Sequence, residues 1–186
     1  MDVELIEHPT APGLDTVSMG ALAREISERT EEGFRARYPH PFLIVVYCPP
    51  AEVIPGIGLT RSSTSPDLAG PRETGSPKRV IPVTKSGVAS LLGRVLVGRD
   101  LTSDILIRSS KVSRAHAVFV PGKRGRTLLE DQGSVNGTLV NGNRLAPGRT
   151  HKLKSGDSVA FWRYLLRYVE LDAFVAMIQG MVSKTA

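Results

Sequence analysis

Short apolar runs separated by Gly, Pro, Asn and Ser recur through the C-terminal part of the chain: residues 80–84, 91–98, 105–107, 115–120, 127–130, 138–140, 150–153, 158–161 and 165–169. Each is too short for a stable helix and most are rich in β-branched residues, so each predicts a strand. Asn141-Gly142, between Leu139-Val140 and Arg144-Leu145, is the sharpest turn signal, because both central positions of a two-residue hairpin require φ > 0. Many short strands joined by Gly-rich turns predict a mainly β fold, an antiparallel sandwich.

The N-terminal part patterns differently. Leu22 and Ile26 lie four apart, with Glu25, Glu28, Arg29 and Glu31 on the remaining face, which predicts a helix over 19–35 with Ser18 as its N-cap, ended by Pro39 and Pro41. Phe42-Leu43-Ile44-Val45-Val46-Tyr47, bounded by prolines, predicts one buried strand. A helix and a strand bury too little apolar area to stand alone, so this segment is expected to dock on the later domain or on another copy of the chain. Residues 55–78 shift to Gly, Ser, Thr and Pro and predict a flexible linker. At the C-terminus Asp172 is an expected N-cap, and Phe174, Met177, Ile178 and Met181 make an apolar helical stripe that packs on the sandwich or on the N-terminal unit. The expected organisation is a helix-plus-strand extension over 1–54, the linker over 55–78, the β-sandwich over 79–170, and an amphipathic helix and tail over 171–186.

Length allows one full domain with extensions in a chain of 186 residues. The formal charge of +6 attracts polyanions: nucleic acid, anionic lipid or a phosphorylated protein. That charge is concentrated in the β region, where residues 79–170 carry 16 Lys or Arg against 6 Asp or Glu. The single cysteine, Cys48, excludes an internal disulfide and a multi-cysteine metal site, which fits a reducing compartment. The first residues lack the basic start of a signal peptide, and the longest apolar run, 42–48, falls short of the roughly 20 residues a membrane span needs. The expected location is the cytoplasm, with no membrane contact.

Four motifs follow one another in the β region: Gly98-Arg99; Ser103-Asp104-Ile105; Ser113-Arg114-Ala115-His116-Ala117; and Gly133-Ser134-Val135-Asn136-Gly137-Thr138. Their residue types suit anion binding. A phosphate group carries nearly two negative charges and three strong acceptor oxygens, so its reader must supply donors fixed in direction. Arg99 leaves a strand end with a planar fork of donors that remains charged at every relevant pH. Ser113 offers a hydroxyl donor, Arg114 adds charge beside it, and the Asn136 carboxamide has both the donor and the acceptor needed to pair with a peptide backbone.

This ordered series resembles forkhead-associated (FHA) domains, modules that bind phosphothreonine peptides, over roughly half the chain. The resemblance implies that Arg99 contacts the phosphate, that Ser113 and Arg114 belong to the binding loop, and that Asn136 pairs with the peptide backbone. It further implies that His116 ties the loops together, with Gly98, Ser134 and Gly137 as loop scaffold. Gly93-Arg94 is a second Gly-Arg pair, but only the interval from Gly98-Arg99 to Asp104-Ile105 matches the family. Two positions depart from it: Val135 stands where some members have a hydroxyl residue, and Trp162 where many have glycine. The implied function is that of an adaptor, not an enzyme, in Ser/Thr kinase signalling. Its partner would be a Thr-phosphorylated protein, a kinase or a kinase substrate, and it would need no cofactor or metal.

Three other readings were weighed. Ser113, His116 and Asp131 suggest a catalytic triad, but Ser113 and His116 three apart along a strand would face opposite ways. Lys123-Arg124-Gly125-Arg126 is a basic hairpin tip suited to nucleic acid, yet no aromatic residue interleaves with it for base stacking. A scaffold that binds proteins without phosphate is the third. In the linker, Thr64-Ser65-Pro66-Asp67 has an acidic residue three places after threonine, which makes Thr64 a candidate phosphosite that the chain's own loops would read.

Overall fold

The computed structural model describes residues 16–49, 79–85 and 93–183. The expected linker and Thr64 lie outside the described residues. Among the described residues, strands fall in chain order at β1 (Val17–Ser18), β2 (Phe42–Tyr47), β3 (Arg79–Pro82), β4 (Val95–Gly98), β5 (Ile105–Leu106), β6 (Ala117–Pro121), β7 (Thr127–Asp131), β8 (Thr138–Val140), β9 (Asn143–Arg144), β10 (Thr150–Lys152), β11 (Ser158–Phe161) and β12 (Tyr164–Val169). They form two sheets, ordered β1-β3-β2-β12-β11-β8-β9 and β10-β7-β6-β4-β5. The chain is mainly β, and the two sheets pack face to face as a sandwich. One pairing departs from the antiparallel expectation: β4 and β5 run parallel, Val97 opposite Ile105. Asn141 and Gly142 turn β8 into β9 with φ of 51° and 78°.

The run Phe42–Tyr47 is buried on both faces only at Phe42, Leu43 and Ile44, whereas Val46 and Tyr47 at its end are exposed, so the expected buried strand is buried over its first half. Leu43 points into the core between the sheets, with Val97, Phe119, Leu129, Val159, Phe161, Leu166 and Tyr168. Phe42 and Ile44 point the other way, into a second core with Met19, Leu22, Ile26, Phe34, Phe174, Val175 and Ile178. β2 therefore lies inside the seven-stranded sheet, with Phe42 opposite Pro82 of β3 and opposite Val169 of β12. Helices α1 (Met19–Glu28), α2 (Glu31–Arg37) and α3 (Leu171–Val182) make a third layer on the outer face of that sheet. Phe42 and Phe174 stack with ring centroids 3.9 Å apart.

Local chemistry corrects three expectations in this layer. The helix expected over 19–35 is two helices. The break falls at Arg29, which is extended, because the Thr30 hydroxyl accepts the Gly33 N–H at 3.2 Å and starts a new N-terminus. Ser18 precedes α1 without a side-chain cap bond, its backbone being paired with Arg79. Asp172 sits inside the first turn of α3 rather than capping it, and its carboxylate takes the Arg35 guanidinium instead. Arg35 also holds Glu31 at 2.8 Å, and the Gln179 amide donates to Glu31 at 2.9 Å, so α2 and α3 are linked by a polar rim around an apolar contact.

Candidate functional site

The four motifs come together at one end of the sandwich, because they lie at strand ends that the register aligns. Val97 stands opposite Ala117, Ala117 opposite Asp131, and Thr138 opposite Phe161. The loops leaving these strands, 99–104, 108–116 and 132–137, are therefore neighbours.

Gly98 makes the first junction possible by close approach. A Cβ there would overlap the Arg114 carbonyl oxygen and lie 2.8 Å from Ser103 Oγ. Arg99 then donates its backbone N–H to the Ser113 carbonyl at 3.0 Å, which fixes the loop after β4 against the loop before β6. Asp100 turns its own loop by accepting the Thr102 N–H and hydroxyl at 3.0 and 2.8 Å. Those two bonds hold its carboxyl below the usual range, and the charges of Arg114 and Arg99 add to the effect. Asp104 contributes to the same region by accepting the Leu96 N–H at 2.8 Å.

His116 is fully buried and joins two loops through its ring. The Ser113 backbone N–H donates to Nδ1 at 3.1 Å, so Nδ1 carries no proton and Nε2 donates to the Gly137 carbonyl at 3.2 Å. Its backbone also bonds Val97 on β4 and Gln132 after β7. Burial holds the imidazole pKa below its ordinary value, against the opposing pull of the Gly137 carbonyl and the Asp131 charge. The Phe161 ring closes the pocket edge-on, 5.5 Å away.

Asp131 does for the third loop what His116 does for the other two. Its carboxylate accepts the Ser134 N–H at 2.9 Å, the Ser134 hydroxyl at 2.6 Å and the Thr138 hydroxyl at 2.6 Å, all buried. Burial alone would raise this carboxyl, but the bonds from Ser134 and Thr138 outweigh it, and the net shift is downward. Gly137 has φ +77°, a region that strains other residues.

Around this buried frame sit the groups named as ligand contacts. Arg99 and Arg114 are exposed. No salt bridge joins either to a carboxylate among the described residues. The Ser113 hydroxyl is half-buried and accepts the Val135 N–H at 3.1 Å, which leaves its own proton to donate outward. Asn136 is partly committed: its Nδ2 donates one proton to the Lys111 carbonyl at 2.6 Å. Val135 is 84 % exposed at the loop tip. Arg94, the other Gly-Arg candidate, lies elsewhere, 3.4 Å from Glu130.

The triad expectation needs one correction of geometry. Strand β6 begins only at Ala117, so Ser113 and His116 share a turn instead of opposite faces of a strand. The imidazole meets the Ser113 backbone, not its hydroxyl, and Asp131 is spent on Ser134 and Thr138. Lys123 and Arg126 are exposed at the far tip, between β6 and β7. Among the described residues no three His, Cys, Asp or Glu side chains are grouped to hold a metal ion, and no helix is long and apolar enough to cross a membrane.

Sequence reasoning named Asp131 only as a triad candidate and missed its anchoring role, although its spacing, three before Ser134 and seven before Thr138, sets a carboxylate against two hydroxyls. Arg144 of β9 lies against Gly137 and had no local signal, since only the hairpin brings it there.

Comparison with known proteins gives the same region a family. Residues 95–162 match the model of the FHA domain. A homologue of a protein phosphatase 1 regulatory inhibitor subunit from Arabidopsis thaliana is 39% identical over 79 residues, covering 40% of this chain and 21% of that protein. An ABC transporter ATP-binding/permease protein of Mycobacterium tuberculosis is 34% identical over 106 residues, covering 57% of this chain and 12% of that protein. The chain thus spans well under a quarter of either relative's length. Among solved structures, the FHA domain of a Chlamydia trachomatis protein is 23% identical, with a TM-score of 0.44 over 70% of this chain and 97% of that one. FHA domains are binding modules rather than enzymes. Over residues 95–162 the chain is similar to the FHA domain, and the loop-bearing end of its sandwich lies within that stretch.

Proposed function

We propose that this chain is a cytoplasmic adaptor in Ser/Thr kinase signalling. In this reading its loop end binds a phosphothreonine of a partner protein, a kinase or a kinase substrate. Arg99 forks onto the phosphate, Ser113 donates its hydroxyl proton to a second phosphate oxygen, Arg114 adds charge, and the free half of the Asn136 carboxamide pairs with the peptide backbone. Gly98, His116, Ser134 and Gly137 hold these groups in place. The sandwich of 79–170, completed by β2 from the N-terminal segment, is the binding unit.

The observation that carries this reading is the state of Ser113. Its carbonyl is tied to Arg99, its N–H to His116 and its hydroxyl oxygen to Val135, so the only unspent group is the hydroxyl proton. Arg114 follows it in the chain and Arg99 is bonded to it through the backbone, both are exposed, and neither is in a salt bridge with a carboxylate among the described residues. A fixed hydroxyl donor with an exposed arginine on its own loop and another on the loop bonded to it suits a multivalent anion.

A phosphothreonine peptide library probed with the wild-type chain and with Arg99→Ala tests it. Wild type should retain phosphorylated members and release their unphosphorylated versions. Arg99→Ala should lose them, at about 1.5–3 kcal/mol for each charged hydrogen bond removed. Equal retention of unphosphorylated peptides would favour a phosphate-independent scaffold. DNA retention that depends on Lys123 and Arg126, with no phosphopeptide binding, would favour a nucleic-acid partner instead.

A further inference from the structure

We propose that the ligand surface extends beyond the phosphate loops onto a second cationic wall, built by Arg144, Trp162 and Arg163, which takes a second anionic group of the same ligand. This rests on the phosphopeptide reading above and adds to it the ligand's class: a phosphothreonine segment that carries another negative charge nearby.

The wall adjoins Asn136 directly. A Cβ built on Gly137, the next residue, would lie 2.5 Å from Arg144 Cζ and Nε and 2.8 Å from Nη2, so the guanidinium rests on the loop itself. Arg144 is exposed, and no salt bridge or hydrogen bond ties its side chain to a carboxylate among the described residues. Its strand is two residues long and fully exposed.

The β11–β12 turn brings up the other half. Thr138 is opposite Phe161, so Trp162 follows at the level of Gly137. Trp162 has φ +57°, a conformation that glycine adopts freely and a bulky side chain does not. Its partial burial against the sandwich core offsets that strain and fixes the indole. Over the indole sits Arg163, its Cζ 5.4 Å from the ring centroid, close enough for a cation–π contact that orients the guanidinium. Arg163 is exposed and likewise has no salt bridge with a carboxylate among the described residues.

An anionic group that reaches the loop edge at Gly137 and Trp162 meets positive charge from both Arg144 and Arg163, neither of which is in a salt bridge with a carboxylate among the described residues. A carboxylate and a second phosphate share that chemistry. The phosphate forks onto both guanidiniums more strongly, so it should be the better occupant.

The test uses the full chain and one phosphothreonine peptide in three forms: neutral flanks, a glutamate walked along the positions on either side, and a second phosphothreonine walked in the same way. Fluorescence anisotropy gives the ratio of affinities. In wild type the best-placed second anion should tighten binding by about 10-fold, the scale of one charged hydrogen bond. In the double variant Arg144→Gln/Arg163→Gln the ratio should fall to near one, and in Trp162→Gly, which keeps the turn but removes the platform, it should fall part of the way. Preference for glutamate equal to that for phosphate would assign the wall to acidic segments, and preference for phosphate alone to doubly phosphorylated ones. A wild-type ratio near one, or a ratio that persists in both variants, overturns the second wall while leaving the phosphothreonine reading intact. Failure of wild type to bind any of the peptides overturns both.

Discussion

The helical layer and the loop end of the sandwich are both well buried, but they bury opposite chemistry. Beneath the helices, Phe34, Phe42 and Phe174 are fully buried in an all-apolar core, and polar contacts such as those of Arg35, Glu31, Asp172 and Gln179 lie at its rim. At the loop end the buried groups are polar: His116, Asp131, Ser134 and Thr138, each with a designated partner. There the apolar side chains of Leu101 and Val135 stand outside, each 84 % exposed. Apolar packing is non-directional and fixes a layer by volume. Buried hydrogen bonds are directional and fix atoms. The first arrangement suits a layer that stabilises the sheet, and the second a surface that must present donors at set positions.

The largest effect expected from this contrast lies far from the loops. Phe174→Ala removes a stacked, fully buried ring and should cost about 3–5 kcal/mol of stability, read by denaturant unfolding. Because only the helical layer is touched, phosphopeptide affinity measured by calorimetry where the variant is still folded should stay at the wild-type value. A matching loss of affinity would mean that the two regions are mechanically coupled and that the contrast is false.

Asp131→Ala reverses the pattern. It leaves the Ser134 N–H and the Ser134 and Thr138 hydroxyls without their acceptor, at about 1–3 kcal/mol of stability, a smaller loss than that of the aromatic ring. Phosphopeptide binding should nevertheless disappear, since Val135, whose N–H orients the Ser113 hydroxyl, sits on the loop that Asp131 anchors. Asp131→Asn, which keeps one acceptor oxygen, should fall between the two. Retained affinity in Asp131→Ala would show that the 132–137 loop holds its shape without the buried carboxylate.

How far the sequence reveals each region follows from the same physics. Strand positions were legible because a strand buried on one face alternates, and Phe42–Tyr47, buried on both faces over its first three residues, is continuously apolar between prolines. The loop cluster was legible as a series of polar residues, each needing a neighbour. Breaks and caps were not: the apolar pattern of Leu22, Ile26 and Phe34 runs straight across Thr30, and only the Thr30–Gly33 bond divides the helices. Asp172 carries a good N-cap sequence signal, but Arg35, distant along the chain, claims its carboxylate. The parallel β4–β5 pairing and the seat of Arg144 on Gly137 depend on how separate hairpins meet, and no local pattern encodes that.

The finest distinction between the regions is their response to acid. His116 is held neutral in the folded chain with its pKa lowered, first by burial, whereas in the unfolded chain it returns to about 6.5. Between the folded and unfolded values the unfolded state binds a proton that the folded state does not, so stability falls as pH drops below about 6.5 and levels off once the folded imidazole also titrates. Half-buried His40 shifts in the same direction by burial and adds a second increment. Asp131, whose folded value is depressed, contributes stability that is lost only at lower pH, as the solution falls through that depressed value. Protonating His116 also turns Nδ1 from acceptor to donor, which breaks its bond with the Ser113 N–H and frees the loop carrying Arg114. Thermal unfolding of the peptide-free chain from pH 7.5 to 5 should therefore show a falling midpoint, with His116→Gln removing only part of the slope and His40 supplying the remainder. A slope unchanged by His116→Gln would mean that this imidazole titrates alike in the folded and unfolded chain, so that neither its burial nor its bond to Ser113 biases its protonation.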